Sequence, residues 1–105
     1  MPSTQTQKNS LPHHITYQTP DSLNPHLNNP RKHSRKQIKQ IAESIRTFGF
    51  IAPVVADASN TLIAGHGRVL AAKEVKLEKI PVIRVEHLNE MQIRAYMIAD
   101  NKLTE

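Results

Sequence analysis

Gly65-His66-Gly67-Arg68 are the residues of this chain whose types and spacing best suit chemistry. They lie where a β-type run, Thr61-Leu62-Ile63-Ala64, gives way to a helix-like segment, Val69-Leu70-Ala71-Ala72-Lys73-Glu74. Glycine has no Cβ, so the pair lets the backbone turn sharply and lets another group come close. The first turn of the helix offers unpaired N–H groups at the positive end of its dipole, and Arg68 adds a forked, permanent charge. Such a corner suits an anion, phosphate above all. The same four residues would also serve as a bare turn with Arg68 in water, and they fall short of a full P-loop or dinucleotide fingerprint. His66 could donate to a phosphate oxygen, act as a general acid, or be only a turn residue. His13, His14, His26, His33 and His87 are scattered without metal-ligand spacing, so no zinc site is expected.

Length and composition bound what such a site can serve. At 105 residues the chain makes one domain with a core near the marginal size, which argues against a large catalytic cleft. Lys and Arg number 14 against 9 Asp and Glu, a formal charge of +5 that favours nucleic acid or nucleotide as partner. Cysteine is absent, which excludes disulfides, thiolate catalysis and zinc ribbons and fits a reducing cytoplasm. The longest apolar run, residues 50–56, is broken by Pro53 and too short for a bilayer, and the start lacks a hydrophobic signal core. A cytoplasmic protein with no membrane partner is therefore expected.

Elements must position these residues. Residues 1–14 are polar and read as a disordered tail, with one folded unit over 15–105. Ile15 to Thr19 alternates as a short edge strand. Pro20, Pro25 and Pro30 then make a loop that resists helix and interior strand. Arg31 and Lys32 close it, facing either a ligand or water. Ser34 and Gln37 have capping-box spacing at the start of a helix that Gly49 ends, with Ile38, Ile41, Ala42, Ile45 and Phe48 as its core stripe. Arg35, Lys39 and Arg46 project along one flank, suited to a DNA backbone or simply to solvent. Residues 53–56 and 61–64 form a hairpin about a turn at 57–60. A second helix runs from about Arg68 to Lys76. Residues 80–85 make the last strand, Pro81 suiting an edge or a strand start. Asn89 and Gln92 cap a third helix with Met91, Ala95, Ile98, Ala99 and Leu103 as its core stripe. Ile93 and Met97 fall on the opposite side, as though for a partner or a further piece of chain.

The spacing Gly49-x-x-x-Pro53-Val54-Val55, the run Leu62 to Ala72 around Gly65-x-x-Arg68, Ile80-Pro81-Val82 and Asp100-Asn101-Lys102 together resemble the N-terminal domain of ParB, the chromosome and plasmid partition protein. That domain shares its fold with sulfiredoxin and is often labelled a ParB-like nuclease domain. The resemblance implies an α+β fold, a small mixed sheet with three helices, over residues 15–105. It is nearest to the subgroup fused to or encoded with DNA methyltransferases, which implies a fragment of a longer protein.

The resemblance also implies a nucleotide pocket, for CTP or ATP with Mg²⁺, built from three motifs. Residues 49–54 resemble the base-holding motif around Pro53, with Ala52 where the family has Gln. Gly65-His66-Gly67-Arg68 resembles Gly-Glu-Arg-Arg at the triphosphate, with His66 for Glu and Gly67 for the first Arg. Asp100-Asn101 resembles the Glu-Asn pair that positions metal and water, an oxygen-ligand set suited to Mg²⁺. His66 stands where sulfiredoxin has its reactive Cys, which excludes sulfinic-acid repair.

Two functions follow. One is a binding module, in which Gly65 to Arg68, Arg31, Pro53 and Asn101 hold phosphate, Arg35, Lys39 and Arg46 meet DNA, and the domain serves a partition system or a DNA methyltransferase. The other is an enzyme, a metal-dependent nuclease or nucleoside triphosphatase, with Asp100 and Asn101 at the metal and His66 and Asp100 in catalysis. The altered motif positions and the lack of a dense carboxylate cluster favour binding. Partners expected are DNA on the nucleoid, a nucleotide, the methyltransferase and a second copy of the chain. No helix-turn-helix is evident, so site-specific DNA reading by this stretch alone is not expected.

Overall fold

The computed structural model describes residues 15–27 and 33–103, the last three by backbone alone. The tail over 1–14 and the loop cations Arg31 and Lys32 lie outside the described residues. In chain order the elements are β1 Ile15–Gln18, a 3₁₀ turn Pro20–Ser22, β2 Asn24–Pro25, α1 Arg35–Phe48, β3 Val54–Ala56, β4 Thr61–Ala64, α2 His66–Val75, β5 Ile80–Arg84 and α3 Glu90–Leu103. The strands form one mixed sheet in the order β1-β5-β3-β4-β2. β1 pairs antiparallel with β5, β5 parallel with β3, β3 antiparallel with β4, and β4 parallel with β2. This is the expected α+β fold, a small mixed sheet with three helices.

Local chemistry accounts for the main joints. The Ser34 hydroxyl accepts from the Gln37 amide at 3.1 Å and the Gln37 side chain accepts from the Ser34 amide at 3.0 Å, the expected capping box of α1. Gly49 ends α1 with φ +86°, a value that favours glycine. At the β3–β4 turn, Asp57 Oδ1 accepts from the amides of Ser59 and Thr61, both at 2.9 Å, and Arg84 from β5 donates to Asn60 Oδ1 at 2.8 Å. Asn89 and Gln92 exchange the same pair of bonds at the start of α3, at 2.8 and 2.9 Å.

The core lies on both faces of the sheet. On one, Val54, Ala56, Leu62, Ile80 and Val82 pack on Val69 and Ala72 of α2, and α1 joins α2 through Ala42, Ile45 and Ala71. On the other, Ile63 packs on Ile93 and Met97 of α3.

Three expectations change, and one stated with two alternatives is resolved. The proline loop does hold a turn of 3₁₀ helix and a two-residue strand, but β2 is at the sheet edge, where a proline's missing N–H is tolerated. β5 lies inside the sheet between β1 and β3; of the two places Pro81 suits, the strand start is the one it takes. Phe48 is 70% exposed, because the turn at Gly49 swings Phe50 into the core in its stead. The faces of α3 are reversed: Ile93 and Met97 are 5% and 2% exposed, whereas Met91 and Ile98 are 78% and 60% exposed and Ala95 and Ala99 face solvent. Counting apolar residues favoured the face with more of them. Two of those were alanines, which bury little area, and the sheet takes the face whose large side chains meet Ile63. Leu103's side chain is outside the described residues.

Candidate functional site

The glycine corner is built from the sheet outward. Gly65 follows β4 directly and caps α2 with φ +95°, and a Cβ there would lie 2.6 Å from Val54 Cγ1. Only glycine satisfies both demands. Its carbonyl accepts from Val69 N at 3.0 Å, so α2 begins at His66, two residues before the expected Arg68. His66, Gly67 and Arg68 thus occupy the first helical turn, where backbone N–H groups lack helical partners. Arg68 is exposed and forms no ion pair among the described residues.

These residues open on a cavity of about 490 Å³, within the range of small-molecule sites. Pro53, Val55 and Ile63 supply its apolar surface, and α3 contributes Tyr96 and Asp100. The structure therefore brings the consecutive residues Gly65, His66, Gly67 and Arg68 together with Pro53 and Asp100, which are distant from them in sequence. Arg31 is outside the described residues, as is the side chain of Asn101. Ala52 is exposed beside Pro53 and does not line the cavity.

Burial first, and the Lys73 ammonium second, push the His66 imidazole below its ordinary value, so at neutral pH the ring is uncharged. Its Nδ1 is buried without a hydrogen-bond partner among the described residues. A neutral ring can donate one hydrogen bond and accept another. Tyr96 is pushed the other way, upward, by burial and then by the Asp100 carboxylate, and so remains a phenol. Among the described residues no group of three or more His, Asp or Glu side chains is placed to hold a metal ion. Asp100 is a single carboxylate, so Mg²⁺ fits here only with oxygens supplied by a bound phosphate and water.

The cationic flank divides. Arg35 and Lys39 share an exposed depression on α1 with Lys36. Arg46 donates to Glu43 at 2.9 Å and borders a different depression, beside Ile15 and Lys79. Sequence reasoning missed His33 and Tyr96 as cavity residues. Tyr96 was findable: it stands four residues before Asp100, hence on the same helical face.

Fold and cleft define an α+β domain with a mixed sheet and an anion-suited hollow between the start of α2 and α3. A model of the ParB N-terminal domain matches residues 3–101, and the chain belongs to that family. It is 42% identical over 78 residues to the ParB-like nuclease domain-containing protein YnaK of Escherichia coli, covering 74% of this chain and 90% of that one. To the probable chromosome-partitioning protein ParB of Rickettsia bellii it is 34% identical over 82 residues, 77% of this chain but only 28% of that protein. Among solved structures, Caulobacter crescentus ParB complexed with CTP-gamma-S gives a TM-score of 0.76 at 22% identity, over 85% of this chain and 53% of that one. The same protein complexed to its centromeric parS site gives 0.61 at 20% identity, over 82% and 47%. Sulfiredoxin from Arabidopsis thaliana gives 0.64 at 17% identity, over 81% and 98%, a likeness of fold.

Proposed function

We propose that this domain is a nucleotide- and DNA-associated binding module whose cleft takes the phosphate chain of a nucleoside triphosphate, CTP or ATP, with Mg²⁺. The observation that carries this reading is the convergence of the α2 first turn, Arg68 and Asp100 on one cavity. The free N–H groups and the guanidinium suit phosphate oxygens. Asp100 would share Mg²⁺ with those oxygens, and Pro53 with Tyr96 offers apolar surface for the rest of the nucleotide. The complex of Caulobacter ParB with CTP-gamma-S supports the choice of ligand. Arg31 and Asn101 remain candidates for the same phosphates. Titration calorimetry with CTP, ATP and Mg²⁺ tests this: saturable binding is expected, weakened about tenfold or more by Arg68→Ala. Equal affinity in that variant would refute it.

DNA would lie along Arg35 and Lys39, which puts the protein on the nucleoid. The parS complex of Caulobacter ParB supports this partner. The module would serve a partition system or a DNA methyltransferase, and an adjoining methyltransferase reading frame is the expected sign of the second. Lack of such a frame removes that role. Sedimentation with and without nucleotide tests whether a second copy joins.

An enzymatic reading, a nucleoside triphosphatase or metal-dependent nuclease, is favoured by one observation, that His66 and Asp100 line the same cavity. Turnover of CTP, ATP or DNA with Mg²⁺ that Asp100→Ala abolishes would establish it. No turnover with binding intact leaves the binding module alone.

A further inference from the structure

Gly67 is a glycine without a backbone reason. Among the described residues the glycines with positive φ are Gly49 and Gly65; Gly67 sits in the first turn of α2 with ordinary helical backbone, which needs no glycine. Its surroundings give the reason. A Cβ at this position would lie 2.8 Å from Cε1 and 2.9 Å from Nδ1 of His33, and 3.1 Å from Ile41 Cδ1. The bare backbone of α2 thus forms a seat for the His33 ring, brought in by the residue just before the Ser34 cap of α1.

The seated ring lines the same cavity as His66 and Arg68. The His33 and His66 ring centres are 6.0 Å apart and tilted by 42°, which is not a stacked pair. Two N–H···O bonds of about 2.8 Å from separate rings to one phosphate group span a gap of this size. We propose that His33 is a binding residue of this cleft, seated by Gly67 and donating, with His66 and Arg68, to one phosphate group of the ligand. The inference rests on the phosphate-binding reading above and adds to it a residue from a different element.

Isothermal titration of the whole chain with inorganic tripolyphosphate, and separately with CTP, at fixed pH and salt tests it. His33→Ala is expected to weaken binding of either probe about tenfold, the worth of one hydrogen bond to a charged group. His33→Gln, which keeps a donor, recovers part of the loss. Gly67→Ala unseats the ring and brings a similar loss, but adds little to a chain already carrying His33→Ala. Should the two losses multiply, the seat is not the cause and the proposal falls. It falls equally if His33→Ala binds as the native chain does while Arg68→Ala does not, an outcome that spares the phosphate reading. If the native chain binds neither probe, both fail together. Should His33→Ala not fold, imidazole Cε1–H resonances of the native chain decide the matter. Tripolyphosphate is expected to shift those of His33 and His66 together, and a stationary His33 signal overturns the assignment.

Discussion

At the scale of single residues, the tightest constraint falls on Gly65. Alanine there must adopt φ near +95° and place its methyl 2.6 Å from Val54 Cγ1, a side chain that is itself fully buried and has no room to withdraw. Backbone strain and overpacking each typically destabilise by 1–3 kcal/mol, so Gly65→Ala is expected to lower unfolding free energy by about 2 kcal/mol or more in urea titrations. A loss below about 0.5 kcal/mol would mean that the corner is not rigid. His66 makes a prediction about pH. Its folded-state value is depressed, so the unfolded chain binds more protons in the window just below 6.5, and stability rises with pH through that window. The stabilisation is full above about 6.5 and lost as pH falls through the lower folded value. Thermal melts between about pH 7 and 5 should therefore show a falling Tm. His66→Asn should flatten that part of the profile, and an unchanged profile in the variant would assign the titration elsewhere.

Among elements, α3 supplies the sharpest contrast. Met97 is buried against Ile63, and its truncation to Ala should cost about 2–5 kcal/mol; Met91, on the opposite face, should tolerate the same change within about 0.5 kcal/mol. Denaturant melts of the two variants check this, and equal losses would restore the face that apolar counting favoured. That contrast also marks where the sequence could be read. Caps and turns were legible because their chemistry is local: Ser34 with Gln37, Asn89 with Gln92 and the turn at Asp57 all act within five residues. Hydrophobic periodicity located α3 but not its buried side, since both sides are apolar and the choice is made by Ile63, some thirty residues earlier, together with Val55, Val85 and Leu88. The cleft divides in the same manner. Its corner was readable because Gly65 to Arg68 are consecutive in the sequence, and Asp100 was found through family resemblance. His33 was passed over because its role depends on a space left by Gly67 on another helix, which no spacing along the chain encodes.

For the whole molecule, what matters is how the charge is arranged. Gln40 borders both the cleft and the depression that holds Arg35, Lys36 and Lys39, so α1 makes the cleft and the cationic surface neighbours. Two anionic ligands on adjoining surfaces repel each other, and salt screens that repulsion over about 10 Å at 0.1 M. Tripolyphosphate in the cleft is thus expected to weaken duplex DNA binding at low ionic strength, and DNA must weaken tripolyphosphate by the same factor. Fluorescence anisotropy of a labelled duplex, titrated with salt, measures both the binding and its cause. Arg35→Ala and Lys39→Ala should each flatten the plot of log K against log salt by about one phosphate contact, a slope change of roughly 0.9. Arg46→Ala should leave the slope nearly unchanged, because its guanidinium is already held by Glu43 and borders the other depression. If Arg46→Ala flattens the plot as much as Arg35→Ala does, DNA runs along the far end of α1 instead. The competition with tripolyphosphate should then disappear, since the two anions would no longer be neighbours.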